Sequence, residues 1–353
     1  MSGGAPTKLS TPNNLKISNV SAFVGRDDDL AALETSLTQN SRVSIAAAVG
    51  MGGVGKTELA LQFAHRRGAA FVGGVCWLRG VEPIAPQIIE FAGDCLDLNV
   101  PEETEDPVRW CCQRWPGEGS VLMVVDDVQD YGTLKPLLPS EPRFRVLLTT
   151  RQAILPSSQR LSLTVLVPAA ALELLRSLVG EERIEAEPAA AQALCEWVGR
   201  LPLGIELVGW HLEQRPGLTI AKLLERLESK RLAAQSLMQT YPEMTATLGV
   251  SAAFELSWES LSSEAKTVAG MLGLFAAAPF EWEWVQDCLQ AGLGEVEEEI
   301  LEAAQAELLR VHLLQVTRLP EQLLYQVHPL VREFFAVKLA ELSAAEDLQR
   351  GVA

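Results

Sequence analysis

Eight residues, Gly50-Met51-Gly52-Gly53-Val54-Gly55-Lys56-Thr57, follow the apolar run Arg42 to Val49 and lead into a helical pattern from Thr57 to Arg66. A buried strand, a glycine-rich turn and a helix in this order leave few folds open. Glycines reach left-handed backbone angles at little cost, so the turn can fold into a concave nest whose N–H groups point at phosphate oxygens beside the positive helix end. The spacing GxxxxGKT therefore predicts a phosphate-binding loop for a nucleoside triphosphate, lined by Gly50, Gly52, Gly53, Val54 and Gly55, with Glu58 in the first helical turn. Lys56 is expected to bridge the β- and γ-phosphates, and the Thr57 hydroxyl to ligate Mg²⁺.

Further apolar runs at Gly74 to Leu78, Val121 to Val125, Arg145 to Thr149 and Ser162 to Val167 alternate with helical patterns such as Pro86 to Leu96 and Asp106 to Trp115. Short strands without polar alternation imply a parallel five-stranded sheet with helices on both faces. Before them, Leu30, Leu33 and Leu37 mark a helix over Asp27 to Gln39. Residues 1–21 are rich in Ser, Pro, Asn and Gly and are expected to be flexible.

The pattern changes after Pro168. Ala169 to Val179, Pro188 to Val198, Gly204 to Gln214 and Thr219 to Glu228 read as consecutive helices, which predicts a small helical domain over 168–243 after an α/β core over 22–167. Further helices over Thr245 to Phe275, Glu281 to Ala291 and Glu295 to Leu308 precede two strand-like segments, His312 to Arg318 and Leu323 to Val327, and a last helix from Pro329 to Leu342. That order describes a winged-helix domain over 244–342, with 343–353 as a tail. The acidic run Glu295 to Glu302 reads as a solvated helix face.

Two more strand ends carry chemistry. Val121 to Val125 runs into Asp126 and Asp127, and an apolar strand ends in carboxylates where they meet a cation or water. Asp126 is expected in the Mg²⁺ shell, and Asp127 to orient or deprotonate an attacking water. Arg145 to Arg151 ends in two hydroxyls and a cation: Arg151 is positioned to sense a γ-phosphate, and Thr149 or Thr150 to bond water or phosphate. Lys56, Asp127 and Arg151 are thus the candidate catalytic residues.

Together these elements resemble the NB-ARC, or STAND, class of signalling P-loop ATPases, which includes plant disease-resistance proteins, apoptotic-protease activating factors and bacterial relatives. The resemblance runs from about Phe23 to about Leu339. Phe23-Val24-Gly25-Arg26 is similar to the family's opening peptide, which implies that Val24 and Arg26 pack around adenine and ribose. Leu201-Pro202-Leu203-Gly204 is similar to the GLPLA-like motif, implying an adenine contact from Pro202; Arg200 stands where the family has its first glycine and Gly204 where it has alanine. Val327-His328-Pro329 resembles the MHD signature with only the histidine retained, implying that His328 reaches the β-phosphate of ADP and locks the domains closed. An imidazole N–H can donate such a bond.

The resemblance implies a switch that holds ADP or ATP with Mg²⁺ between its three domains, opens and self-associates on exchange for ATP, and resets by slow hydrolysis. It also implies a separate effector or sensor protein, or a C-terminal sensor domain, as partner. The alternative from a different class is a DNA-binding ATPase or transcription regulator using the winged helix; a small-molecule kinase shares only the phosphate loop. A net charge of -17 repels phosphate backbones and anionic membranes at long range, and the segments that would read DNA hold many acids and few cations. No apolar run reaches the roughly 18–20 residues of a membrane span, and no secretory signal opens the chain, so a cytoplasmic location is expected. Six cysteines without metal-ligand spacing read as reduced, buried thiols.

Overall fold

The computed structural model describes residues 11–16, 18, 20, 22–47, 53–152, 154–235, 245–276, 278–294, 296–319, 322–342 and 345–352. The chain divides into two compact units, Met1–Ser18 with Arg26–Thr164, and Asn19–Gly25 with Val165–Ala353.

The first unit contains α1 (Asp27–Gln39), β1 (Arg42–Ala47), α2 (Lys56–Arg67), β2 (Val75–Arg79), α3 (Ile84–Leu96), α4 (Pro107–Arg114), β3 (Val121–Val128), α5 (Tyr131–Leu134), β4 (Phe144–Thr150) and β5 (Arg160–Leu163). Its strands form one sheet in the order β2-β3-β4-β1-β5 with every neighbour parallel. Val121 to Val125 are fully buried, as expected of a strand covered on both sides. Part of the core lies between β2, β3, β4 and the apolar faces of α3 and α4, where Phe91 stacks on Trp115 at 5.2 Å and Trp115 meets Phe144 edge-on at 5.5 Å. The fifth strand occupies Arg160–Leu163, earlier than the apolar run from Ser162 suggests.

β2 lies at the edge of the sheet, and the described part of the N-terminal segment runs beside it. Pro12 O accepts the Val75 N–H at 2.9 Å, and Asn13 makes a parallel bridge to Val75. The Asn14 carboxamide takes the Trp77 N–H at 2.7 Å and donates to Trp77 O at 2.9 Å. Gln87 does the same for Arg79, at 2.8 and 3.0 Å. Two side-chain amides thus satisfy backbone groups that a further strand would otherwise pair.

The second unit contains α6 (Pro168–Val179), α7 (Glu181–Ala186), α8 (Pro188–Trp197), α9 (Pro202–Glu213), α10 (Ile220–Gln235), α11 (Thr245–Glu259), α12 (Ser263–Leu272), α13 (Trp282–Leu293), α14 (Glu298–Arg310), β6 (Gln315–Leu319), β7 (Gln322–Gln326), α15 (Pro329–Leu339) and α16 (Ala345–Val352). The helical stretch from Thr245 is broken at Ser262, whose hydroxyl caps α12 by accepting the Ala265 N–H. β6 and β7 form an antiparallel hairpin. Its first strand begins three residues later than the sequence suggests, because His312 adopts φ 56° and Leu313 and Leu314 turn back to bond Leu308 O.

All six cysteines are free. Burial pushes the Cys76 thiol up, and with neighbouring acids pushes Cys112 and Cys195 up to about 12, so these thiols stay protonated. No described helix is long and apolar enough to cross a membrane.

Candidate functional site

The carboxyl ends of β1, β3 and β4, three adjacent strands, gather the first unit's candidate residues, as parallel sheets commonly do at their ligand edge. Gly50 and Gly52 lie outside the described residues. Gly53 and Gly55 adopt φ 73° and 95°, the left-handed region that glycine enters readily, and Gly55 caps α2, its carbonyl accepting the Leu59 N–H at 2.9 Å. Lys56 and Thr57 open that helix. Val54 is fully buried, and its carbonyl accepts from Arg26 Nη2 at 3.1 Å. The same guanidinium donates to Thr164 O at 2.8 Å and pairs with Asp29 at 3.0 Å. Arg26, 6% exposed, therefore fastens the phosphate-loop backbone to the chain leaving β5.

At the end of β3 the pairing register with β4 shifts between Val125 and Val128, and Asp127 takes φ 56°. In a regular strand Asp126 and Asp127 would point to opposite faces. The bulge removes that constraint. Both carboxylates lie close enough to Lys56 to favour its charged form.

The bulge is held from two sides. Thr149, buried on β4, accepts the Asp127 N–H at 2.8 Å and donates to Asp126 Oδ1 at 2.6 Å. On the other side the Gly80 N–H donates to Asp126 O at 2.6 Å, and a Cβ on Gly80 would lie 2.9 Å from Val128 Cα and 3.0 Å from Asp126 O. Gly80 was not singled out by sequence reasoning; its only signal is a glycine directly after an apolar strand.

Thr57 Oγ1 donates to the same Asp126 Oδ1 at 2.8 Å, which joins the phosphate-loop helix to the β3 carboxylate. Lys56 is held below its usual pKa by burial first and by the positive Arg151 second, with Asp127 and Asp126 acting in the opposite direction. Two cations pressing on each other beside two carboxylates make a polar site suited to an anion carrying a divalent metal. The hydroxyl of Thr57 and the carboxylate of Asp126 are hard oxygen donors of the kind Mg²⁺ takes alongside phosphate oxygens.

Three of the expected ligand contacts also have partners within the protein. The Thr149 hydroxyl bonds Asp126 and Asp127, and Thr150 donates to Val128 O at 2.9 Å while accepting the Gln152 N–H. Glu58 Oε1 accepts from Ser18 at 2.7 Å and from Gln62 at 2.8 Å, tying α2 to the N-terminal segment. Burial raises its pKa against those two hydrogen bonds.

Val24, Pro202 and His328 belong to the second unit. Val24 is half-buried; Pro202 opens α9 at its first position. His328 caps α15, its Nδ1 accepting the Leu330 N–H at 3.2 Å. That bond assigns the proton of the neutral ring to Nε2, which makes that atom a donor.

No protein-family model matches the chain. It is 30% identical over 267 residues to the regulatory protein AfsR of Streptomyces coelicolor, covering 72% of this chain and 26% of that protein. It is also 26% identical over 221 residues to the probable disease resistance RPP8-like protein 2 of Arabidopsis thaliana, covering 55% and 23%. A solved structure, the Signal Transduction ATPase with Numerous Domains with a tetratricopeptide repeat sensor from Pyrococcus horikoshii, matches with a TM-score of 0.54 at 19% identity, over 99% of this chain and 46% of that one. The chain belongs to the NB-ARC/STAND class of signalling P-loop ATPases. This NB-ARC chain spans about a quarter of the length of the curated relatives it matches. The parallel five-stranded sheet and its phosphate loop are the part of the class architecture described above.

Proposed function

We propose that this chain is a nucleotide-operated signalling switch that binds ADP or ATP with Mg²⁺, self-associates in the ATP form and resets by slow hydrolysis. The observation that carries the reading is the junction of Thr57 with Asp126 at 2.8 Å beside Lys56. The loop N–H groups and the α2 N-terminus hold phosphate oxygens, and Lys56 and Arg151 neutralise their charge. Thr57 and Asp126 hold the metal, which when bound offsets charge on the β- and γ-phosphates. Asp127 orients a water and accepts its proton. Arg26 keeps the loop backbone in shape, and Val24 and Pro202 contribute to the adenine contacts.

His328 is proposed as the contact to the ADP β-phosphate, a role its Nε2–H is suited to. A winged-helix role for α12 to α15 with the β6–β7 hairpin is consistent with the order of elements. The DNA-binding alternative lacks the cations it needs, since α13 and α14 together carry one basic residue, Arg310.

The test is to denature the purified protein, identify any released nucleotide and its stoichiometry, and then measure ADP and ATP binding. About one ADP per chain, released faster from His328→Ala with a shift toward oligomer, supports the switch. A parent that neither carries nor binds adenine nucleotide overturns it, and unchanged ADP retention in the variant removes the role of His328.

A further inference from the structure

One short stretch of chain in the first unit links the edge of the sheet to the helix that follows the phosphate loop. At β2, Pro12 O and the Asn14 carboxamide hold backbone groups of Val75 and Trp77, and the Lys16 ammonium lies over the Trp77 ring, 5.4 Å from its centroid. At α2, His65 Nε2–H donates to Lys16 O at 2.8 Å, and the Ser18 hydroxyl donates to Glu58 Oε1 at 2.7 Å. The stretch therefore grips α2 near both ends. Glu58 stands in the first turn, next to Lys56 and Thr57, and His65 in the last.

The seat of α2 decides the geometry of the site. That helix packs against β1, β3 and β4, and its Thr57 reaches Asp126 on β3 at 2.8 Å, a bond that tolerates little displacement of either end. Glu58 Oε1 accepts from two donors, Gln62 within α2 and Ser18 from outside it. Glu58 is half-buried, so withdrawing the Ser18 donor costs the first turn of α2 stability. The hold on β2 is partial by contrast. Asn13 and Val75 form an isolated bridge instead of a ladder, and Asn14 is exposed. Such an attachment can open locally while the five-stranded sheet stays intact.

We propose that the segment carrying Pro12, Asn14, Lys16 and Ser18 is a strap that governs nucleotide release. Seated on β2, it clamps the first turn of α2 beside the phosphates and slows their departure; lifted from β2, it frees that turn and speeds exchange. This regulation rests on the nucleotide-binding reading of the phosphate loop. The two grips act as one unit, because Asn14 and Ser18 are only four residues apart and Lys16 between them touches both Trp77 and His65.

The test is the rate at which ADP labelled with a methylanthraniloyl fluorophore leaves the full chain in Mg²⁺. Ser18→Ala removes the grip on Glu58, and Asn14→Ala removes the grip on Trp77. Each raises the rate about threefold to tenfold, the worth of one hydrogen bond, and the double variant gains little beyond Ser18→Ala because both positions work through one strap. On the nucleotide-free chain, both variants show faster amide hydrogen exchange from Leu59 onward in α2, and the thermal midpoint verifies that each is folded. The strap is overturned if Asn14→Ala leaves the dissociation rate unchanged, or if the two substitutions act additively. A parent that binds no labelled ADP overturns the reading of the loop, whereas α2 exchange insensitive to both substitutions overturns the strap itself, so the two failures are told apart.

Discussion

The hydroxyl of Thr149 lies 2.6 Å from the carboxylate of Asp126 and takes the Asp127 N–H in the same bond network. A single buried oxygen on β4 thus fixes the aim of one acid and the backbone of the next.

Replacing Thr149 with Val, close in shape but without the hydroxyl, leaves the Asp127 N–H without this acceptor and Asp126 without one donor. A stability loss of about 1–3 kcal/mol is expected. Nucleotide turnover should need more Mg²⁺ while the nucleotide affinity measured without metal changes little. Thr149→Ser should stay near the parent. A Mg²⁺ titration of all three proteins checks this, and equal midpoints would remove Thr149 from the site.

Gly80 and Gly93 make a matched pair. A methyl group on Gly80 meets backbone atoms of Asp126 and Val128 at 2.9–3.0 Å, whereas one on Gly93, in α3, has no atom within 4 Å. Gly80→Ala should destabilise by about 1–3 kcal/mol and lower turnover by displacing the bulge. Gly93→Ala should stabilise by about 0.5–1 kcal/mol without affecting turnover. Urea unfolding read beside ATPase rates compares the two.

Glu58 gives a pH dependence of known sign. Burial raises its folded pKa above the ordinary 4.5, so the folded state favours the protonated acid and loses that advantage as pH rises through the raised value. Glu58→Gln should therefore gain stability relative to the parent near pH 8, and the gain should shrink toward pH 4. Denaturation midpoints at the two pH values test it; a constant offset would contradict the assigned shift.

His312 acts in the opposite sense. Its folded pKa is lowered from 6.5 to about 4 by burial, and His211 is lowered similarly, so the unfolded chain takes up protons first as pH falls. The parent should lose stability between pH 6.5 and 4. His312→Phe, which keeps a ring against Trp210, should flatten that slope without abolishing it. Thermal midpoints across the window measure the difference.

Much of the first unit was legible because strand, glycine turn and helix obey local rules. The helix over Asp27 to Gln39 and the four apolar runs that became β1 to β4 needed only periodicity and burial. The bulge at Asp126 and Asp127 was not legible, because alternation along a strand predicts opposite faces and only the register against β4 reveals the exception. The partners of the two threonines that end β4 were not legible for the same reason: which hydroxyl meets which neighbour depends on strand order. Composition alone made Thr11 to Lys16 look unstructured. A lone asparagine that pairs with a backbone 63 residues away leaves no local pattern.

The carboxamide of Asn14 bears on what can pair with the β2 margin of the sheet. With Asn14 seated on Trp77 and Gln87 on Arg79, the sheet's outer margin offers those residues' backbone groups to no foreign strand. A strand from another molecule would have to displace both amides before it could add to the sheet at this margin.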